Sequence, residues 1–168
     1  LVHAADQATL RKPGPKGGDA SAGKLLRNLW RPANPKILGH TLRHGGARPA
    51  RIDDAQTFAD GDVLDVPGRF RVIHTPGHTP GHCALLLGRG DVLFVGDALI
   101  THELVTGGHG AQVMPSYFNV DTQTALQSLE ALERLTAGLL LPGHGSPWHD
   151  GPAAAVESAR RRLAADHA

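Results

Sequence analysis

Over residues 1–60 the apolar and polar positions hold neither a helical nor a strand period for long. Leu1-Val2-His3 reads as the end of a strand. Residues 11–23 are dense in Gly, Pro and Lys and read as loop. Leu25, Leu26 and Leu29 share one face of a short helix over 24–30, which Pro32 and Pro35 stop. From there to Gly61 turn residues dominate. The pattern sharpens at Asp62. Val63, Leu64 and Val66 predict a strand ending at Pro67-Gly68, and the alternation over 70–74 predicts a second, stopped by Pro76-Gly77. Two short apolar runs, 83–87 and 92–95, flank the turn residues Gly88-Arg89-Gly90-Asp91 and predict a hairpin. Residues 98–119 have no period. Asp121 or Thr122 caps a helix to about Leu135, with Ala125, Leu126, Leu129, Leu132 and Leu135 on its apolar side. Leu139-Leu140-Leu141 is a short buried strand closed by Pro142-Gly143. Pro152 opens a last helix over 152–168, since a first helical turn tolerates proline. Strands come first as a meander, then helix, strand and helix. There is no internal repeat, so the expectation is one α+β domain over 1–168, with the informative strands in 61–150.

Composition changes this picture little. The chain has 168 residues, of which 40% are hydrophobic, enough for one folded core. Seventeen basic and 16 acidic residues leave a formal net charge of +1, which gives no electrostatic reason to expect nucleic acid or an anionic membrane as partner. No apolar run approaches the ~20 residues that cross a bilayer. The basic run Arg160-Arg161-Arg162 is expected near the end of its helix, where it complements the helix dipole. Cys83 is the only cysteine, so an internal disulfide is excluded and a cytoplasmic location is expected. It opens an apolar strand and reads as core, not as a nucleophile. The unusual residue is His, with 11 copies beside four Phe, one Tyr and two Trp, which turns the search toward metal or acid–base chemistry.

Three places share a pattern in which His or Asp follows an apolar strand beside Gly. They are Thr75-Pro76-Gly77-His78-Thr79-Pro80-Gly81-His82, Phe94-Val95-Gly96-Asp97 and Leu141-Pro142-Gly143-His144-Gly145. Strand ends hold side chains rigidly, and neighbouring Gly lets a ligand approach the backbone. If these strands lie in one sheet, His78, Asp97 and His144 converge at one edge. Imidazoles with a carboxylate suit Zn²⁺, and also Fe or Mn. Singly, each motif is more often plain turn chemistry; together and in this order they are specific. The aperiodic segment after Asp97 supplies His102, Glu103, His109, Met114, Tyr117 and Phe118 as candidate contacts for a small-molecule substrate. The Met114-Pro-x-x-Phe118 stretch reads first as packing.

Residues 75–82, Gly96-Asp97 and 142–145 resemble the third, fourth and fifth motifs of the metallo-β-lactamase superfamily, in its glyoxalase II-like branch, over about residues 60–150. The resemblance implies the four-layer αββα sandwich, with a site along one edge of its two sheets. It also implies a hydrolase in which two metal ions, usually zinc, activate a bridging hydroxide to attack an ester, thioester, lactone or related bond. By the same resemblance His78 completes the first metal site, Asp97 bridges both metals, and His144 serves the second. His82 lines the site and supports its neighbours or touches substrate, which with Asp97 makes it a candidate catalytic residue. The family's His-x-His-x-Asp-His signature has no counterpart here; His40 and His44 do not match it and read as surface residues. His3 with Asp6 resembles the strand that follows that signature, so the sequence is expected to represent a portion of the fold that lacks its N-terminal half. Such a portion is expected to bind metal weakly, to be inactive alone and to oligomerise through exposed sheet surface. Two other readings stand beside the hydrolase: an iron-dependent oxidoreductase of the same fold, and a non-catalytic binding module.

Overall fold

The computed structural model describes residues 1–13, 18–19, 35, 39–40, 42–44, 50–103 and 107–166. The helix expected over 24–30 lies outside them. The centre of the fold is a four-stranded sheet of β3 (Arg71–His74), β4 (Cys83–Leu86), β5 (Val92–Gly96) and β8 (Leu139–Pro142), in the order β3-β4-β5-β8. The predicted hairpin forms, with Leu85 opposite Phe94 and Leu86 opposite Leu93. β3 is antiparallel to β4, β4 is antiparallel to β5, and β5 is parallel to β8. Consequently β3, β5 and β8 run the same way, and their C-terminal ends reach the same edge of the sheet. That is the structural fact that gathers the three motifs.

The side-chain alternation of these strands sorts the sheet into two faces. Ile73, Ala84, Leu86, Leu93, Val95 and Leu140 form one apolar face. They pack with Leu129 and Leu132 of α2 (Thr122–Glu133) and with Ala155, Val156 and Ala159 of α3 (Gly151–Asp166). α2 starts where the sequence predicts: Asp121 is extended, and its carboxylate accepts the Thr124 N–H at 2.9 Å. On the opposite face Phe94 remains 38% exposed and meets the edge of Phe70 at a centroid distance of 5.5 Å.

Several expectations change. The strand predicted around 63–66 is a turn carrying an isolated bridge between Val63 and Arg71; Asp62, Pro67 and Gly68 bend it too tightly for a ladder. The stretch 98–119 is not structureless: β6 (Ile100–His102) and β7 (His109–Gln112) form a hairpin, followed by a 3₁₀ turn over Ser116–Phe118. Near the start, β1 (Val2–His3) pairs in parallel with β2 (Thr57–Phe58), and β1 leads through a 3₁₀ turn (Ala4–Asp6) into α1 (Gln7–Arg11). The Arg160–162 run lies before the last turn of α3, so it does not end the helix. Arg160 instead pairs with Glu133 of α2 at 2.9 Å, and Arg162 donates to the His109 carbonyl of β7. These contacts tie the last helix to its neighbours. Among the described residues no helix is long and apolar enough to cross a membrane.

Candidate metal centre

Asp97 follows β5 and lies between two imidazoles. Its Oδ2 is 3.5 Å from His78 Nε2, and its Oδ1 is 3.5 Å from His144 Nε2. Each carboxylate oxygen therefore faces a different ring. The three motif residues are brought together as their strand-end positions suggest.

Each of them is aimed by local structure. His78 sits in the loop 75–82, which folds back on itself: Thr75 N–H donates to the His82 carbonyl at 2.9 Å and Gly77 N–H to the Thr79 carbonyl at 3.0 Å. The loop is docked on the start of α2, where Asp121 N–H donates to the Gly77 carbonyl at 2.9 Å. Gly77 has φ +133°, and a Cβ there would collide with the backbone of Ala125. His78 Nδ1 faces Asn119 Oδ1 at 3.4 Å, leaving Nε2 to point toward Asp97. Asn119 is fully buried and held in turn by its own amide, which donates to the Met114 carbonyl at 2.9 Å. Such an orienting partner fixes which ring nitrogen is free to coordinate.

His82 takes a different part in the arrangement. Its Nε2 accepts the Asp97 backbone N–H at 3.0 Å, and its Nδ1 faces Thr75 Oγ1 at 2.8 Å and the Thr75 carbonyl at 3.1 Å. Both ring nitrogens are engaged inside the protein, and Nε2, as an acceptor, carries no proton. Burial first, and then the neighbouring His78, lower its pKa from the ordinary histidine value. Gly96 permits this contact: it has φ +51°, and a Cβ there would come 2.8 Å from His82 Nε2.

His144 is carried by the loop after β8. Its carbonyl accepts the Thr101 N–H at 2.9 Å, and Thr101 Oγ1 donates to the Ser146 carbonyl at 2.6 Å, so β6 braces this loop. Gly143 N–H donates to the Gly96 carbonyl at 2.8 Å; a Cβ on Gly143 would overlap Asp97 Oδ1. Gly143 thus keeps space beside the Asp97 carboxylate, and Gly96 keeps space for the His82 ring.

Beside these residues lies a cavity of about 210 Å³ whose further lining comes from Ile100, His102, Glu103, Met114 and Phe118. Met114 is buried, yet it also borders the cavity with Phe118, so the stretch read as packing serves both purposes. Glu103 is 4% exposed. His109 meets the His102 ring at a tilt, with centroids 4.6 Å apart, and Tyr117 meets Phe118 likewise at 4.7 Å; neither lines the cavity. A larger groove of about 830 Å³, bordered by Val63, Arg71 and Leu86, lies at the other end of the sheet, away from these histidines. His40 and His44 are exposed, and their rings meet at a tilt with centroids 4.3 Å apart, in keeping with surface residues. Cys83 is half-buried; burial, then Asp60 and Asp6, push its thiol up to about 11.

The donor set can be tested for its fit to metal. Asp97 Oδ1 is buried with no hydrogen-bond partner, as expected of an oxygen shaped for a cation. Two ligands about 2.1 Å from one ion at a tetrahedral angle lie ~3.4 Å apart, close to the 3.5 Å separations on both sides of Asp97. Each position, however, offers one imidazole and one carboxylate oxygen. Among the described residues no group of three or more His, Cys, Asp or Glu is placed to hold one ion. The residues fit as two half-sites that share Asp97.

Sequence reasoning missed Asn119, because its partner His78 is distant in the chain and nothing local marks an Asn as an orienting group. It also missed the steric role of Gly143, which depends on two strands lying side by side.

Comparison with known proteins places the chain in a family. A family model described as the metallo-beta-lactamase superfamily matches residues 3–144. A protein named probable metallo-hydrolase YflN, from Bacillus subtilis strain 168, is 43% identical over 81 residues, covering 45% of this chain and 31% of that protein. Hydroxyacylglutathione hydrolase GloC from Haemophilus influenzae is 32% identical over 100 residues, covering 58% of this chain and 43% of that protein. Among solved structures, a metallo-beta-lactamase family protein from Thermus thermophilus, TTHA1429, superimposes with a TM-score of 0.57 at 24% identity, over 99% of this chain and 52% of that one. The chain thus spans less than half the length of these two curated relatives and about half of the solved structure.

Proposed function

The chain belongs to the metallo-beta-lactamase superfamily, and from that membership we propose that it carries part of the dinuclear centre of a metal-dependent hydrolase. The observation that carries the proposal is the placement of Asp97 between two imidazoles, one facing each carboxylate oxygen at 3.5 Å. His78 with Asp97 Oδ2 would hold one ion, and His144 with Asp97 Oδ1 the other. Zinc suits these donors best, with iron or manganese as chemically compatible alternatives. Ions bound here would supply Lewis acidity and acidify water.

The protein's own residues have separate tasks in this reading. Asp97 spaces the two positions and supplies negative charge between them. Asn119 fixes the His78 ring, and His82 fixes the Asp97 backbone. With Nε2 accepting from Asp97 N–H, His82 neither ligates metal nor relays protons; it is a positioning residue. Ile100, Met114 and Phe118 give the cavity an apolar wall that excludes water, and Glu103 and His102 add polar contacts. An acyl compound, such as an ester, thioester or lactone, suits such a pocket, and hydroxyacylglutathione, named in one relative, is the first thioester to assay.

Among the described residues each ion would have two protein ligands, short of the usual three or four. The chain on its own is therefore expected to bind zinc weakly and to turn over substrate poorly. Calorimetric zinc titration of the chain and of Asp97→Ala tests both parts. Weak binding that the substitution abolishes supports the proposal. Binding that survives in Asp97→Ala sinks the assignment, and tight stoichiometric zinc sinks the claim that the centre is partial.

A further inference from the structure

We infer that Asp6 is a positioning residue of this centre: its carboxylate clamps the loop that carries His78 and His82 from the outside. The inference rests on the metal-centre reading for its purpose, though its geometry stands alone.

Asp6 ends the 3₁₀ turn after β1 and lies far in sequence from the loop. Its Oδ2 accepts the Thr79 hydroxyl at 2.5 Å, and its Oδ1 accepts the Gly81 N–H at 2.9 Å. Both carboxylate oxygens are thus spent on the segment between the two histidines. Gly81 is needed for this approach, because a Cβ there would come 2.7 Å from Asp6 Cγ. The second Gly of the repeated Pro-Gly-His motif is therefore explained by Asp6 and not by the metal positions. Between the two clamped residues, the Pro80 carbonyl accepts from His74 Nε2 at 2.8 Å. His74 stacks on His3 at 4.2 Å with an interplanar angle of 14°, so β1 is seated against the same strand end. His3 accepts the Ala5 N–H at its Nδ1, which shapes the turn that delivers Asp6.

Asp6 fixes Thr79 and Gly81. These residues flank Pro80 and join His78 to His82. His78 faces Asp97 Oδ2, while His82 holds the Asp97 backbone. A loop of repeated Pro and Gly has little of its own to hold two imidazoles still, and hydrogen bonds to a carboxylate are about twice as strong as neutral ones. Asp6 does not border the cavity, so it acts through the loop alone.

The test separates positioning from general stability by comparing Asp6→Ala and Asp6→Asn with Val156→Ala, a core change in α3 far from the loop. Amide exchange and the His82 ring tautomer are read by NMR without metal, and Co²⁺ affinity is read by titration. In Asp6→Ala, Gly81 and Asp97 amides should exchange faster, His82 should lose its single tautomer, and Co²⁺ should bind roughly tenfold more weakly. Asp6→Asn, which keeps an acceptor for Gly81, should fall between. Val156→Ala should lower the melting temperature and move none of these. If Asp6→Ala shifts exchange only uniformly, as Val156→Ala does, the proposal is overturned. If Co²⁺ binds neither parent nor variant, the metal-centre reading fails, while the exchange and tautomer data still decide the role of Asp6. Should Asp6→Ala not fold, Thr79→Val removes one clamp bond and is judged by the same readings.

Discussion

The backbone N–H of Asp97 donates to Nε2 of His82 at 3.0 Å, so the carboxylate between the His78 and His144 imidazoles is aimed through its main chain by a third ring. An accepting Nε2 places the ring proton on Nδ1, where Thr75 Oγ1 and the Thr75 carbonyl stand ready to accept it. Replacing His82 by Ala strands the Asp97 N–H and removes the partner of a buried threonine. The expected cost is about 1–3 kcal/mol of unfolding free energy, because buried polar groups lose their partners. Zinc affinity should fall with it. A urea midpoint and zinc affinity equal to those of the parent would contradict the assignment of His82 as a positioning residue.

Gly143→Ala separates the site from the fold. The backbone at Gly143 is not in the left-handed region, so alanine is conformationally acceptable there. Its methyl would nevertheless overlap Asp97 Oδ1 and push the carboxylate out of line with His144. The variant should melt cooperatively, with stability lowered by about 1–2 kcal/mol for a local clash. It should take up at least tenfold less zinc by titration, an effect typical of disturbed ligand support. Normal zinc uptake by this variant would mean that Oδ1 does not face a metal.

What the sequence revealed and what it hid have physical causes. The hairpin of β4 and β5, the cap at Asp121 and the short strand at Leu139 were legible because apolar periodicity and turn residues act locally. The convergence of His78, Asp97 and His144 was legible because each follows a strand beside a glycine, and the common direction of β3, β5 and β8 does the rest. The hairpin of β6 and β7 was hidden because His102, His109 and Gly110 replace the β-branched residues that mark strands; pairing and packing on α3 hold it instead. Arg162 looked like a helix-end cation, but its use depends on a β7 carbonyl that only tertiary structure brings near. Asn119 and Asp6 were hidden for the same reason: their partners are remote in sequence.

Cys83 offers a check with a defined pH dependence. Its thiol is pushed up to about 11 from a reference of 9.0, chiefly by burial. At pH 8 the thiolate fraction in the folded chain is then roughly a hundredfold below that of an unfolded thiol. Iodoacetamide should alkylate native Cys83 correspondingly slowly, and the rate should keep rising about tenfold per pH unit to near pH 10. The sign for stability follows: above pH 9 the unfolded state loses this proton first, so the thiol's contribution declines as pH rises from 9 toward 11. An alkylation rate that levels off near pH 9 would show an ordinary thiol and an exposed Cys83.

Gly77 is the position where a single methyl should do the most damage to the fold and the site together. Its φ of +133° is one that residues with a side chain rarely adopt. A Cβ would also collide with the backbone of Ala125 in the first turn of α2, so relief requires moving either the loop or the helix. Moving the helix breaks the Asp121 N–H bond to the Gly77 carbonyl; moving the loop carries His78 away from Asp97. Backbone strain and the clash together are expected to cost about 2–4 kcal/mol in Gly77→Ala. Against this, Gly90→Ala is the matched control, since Gly90 also has a positive φ, +77°, but nothing stands near its missing Cβ. That variant carries the backbone strain alone, about 1–2 kcal/mol, and leaves His78 in place. Urea unfolding of the two proteins should therefore rank Gly77→Ala well below Gly90→Ala, with zinc uptake lost only in the first. Equal midpoints would show that the loop and α2 are not packed as tightly as the Gly77–Ala125 contact requires, and the route by which α2 holds His78 would have to be abandoned.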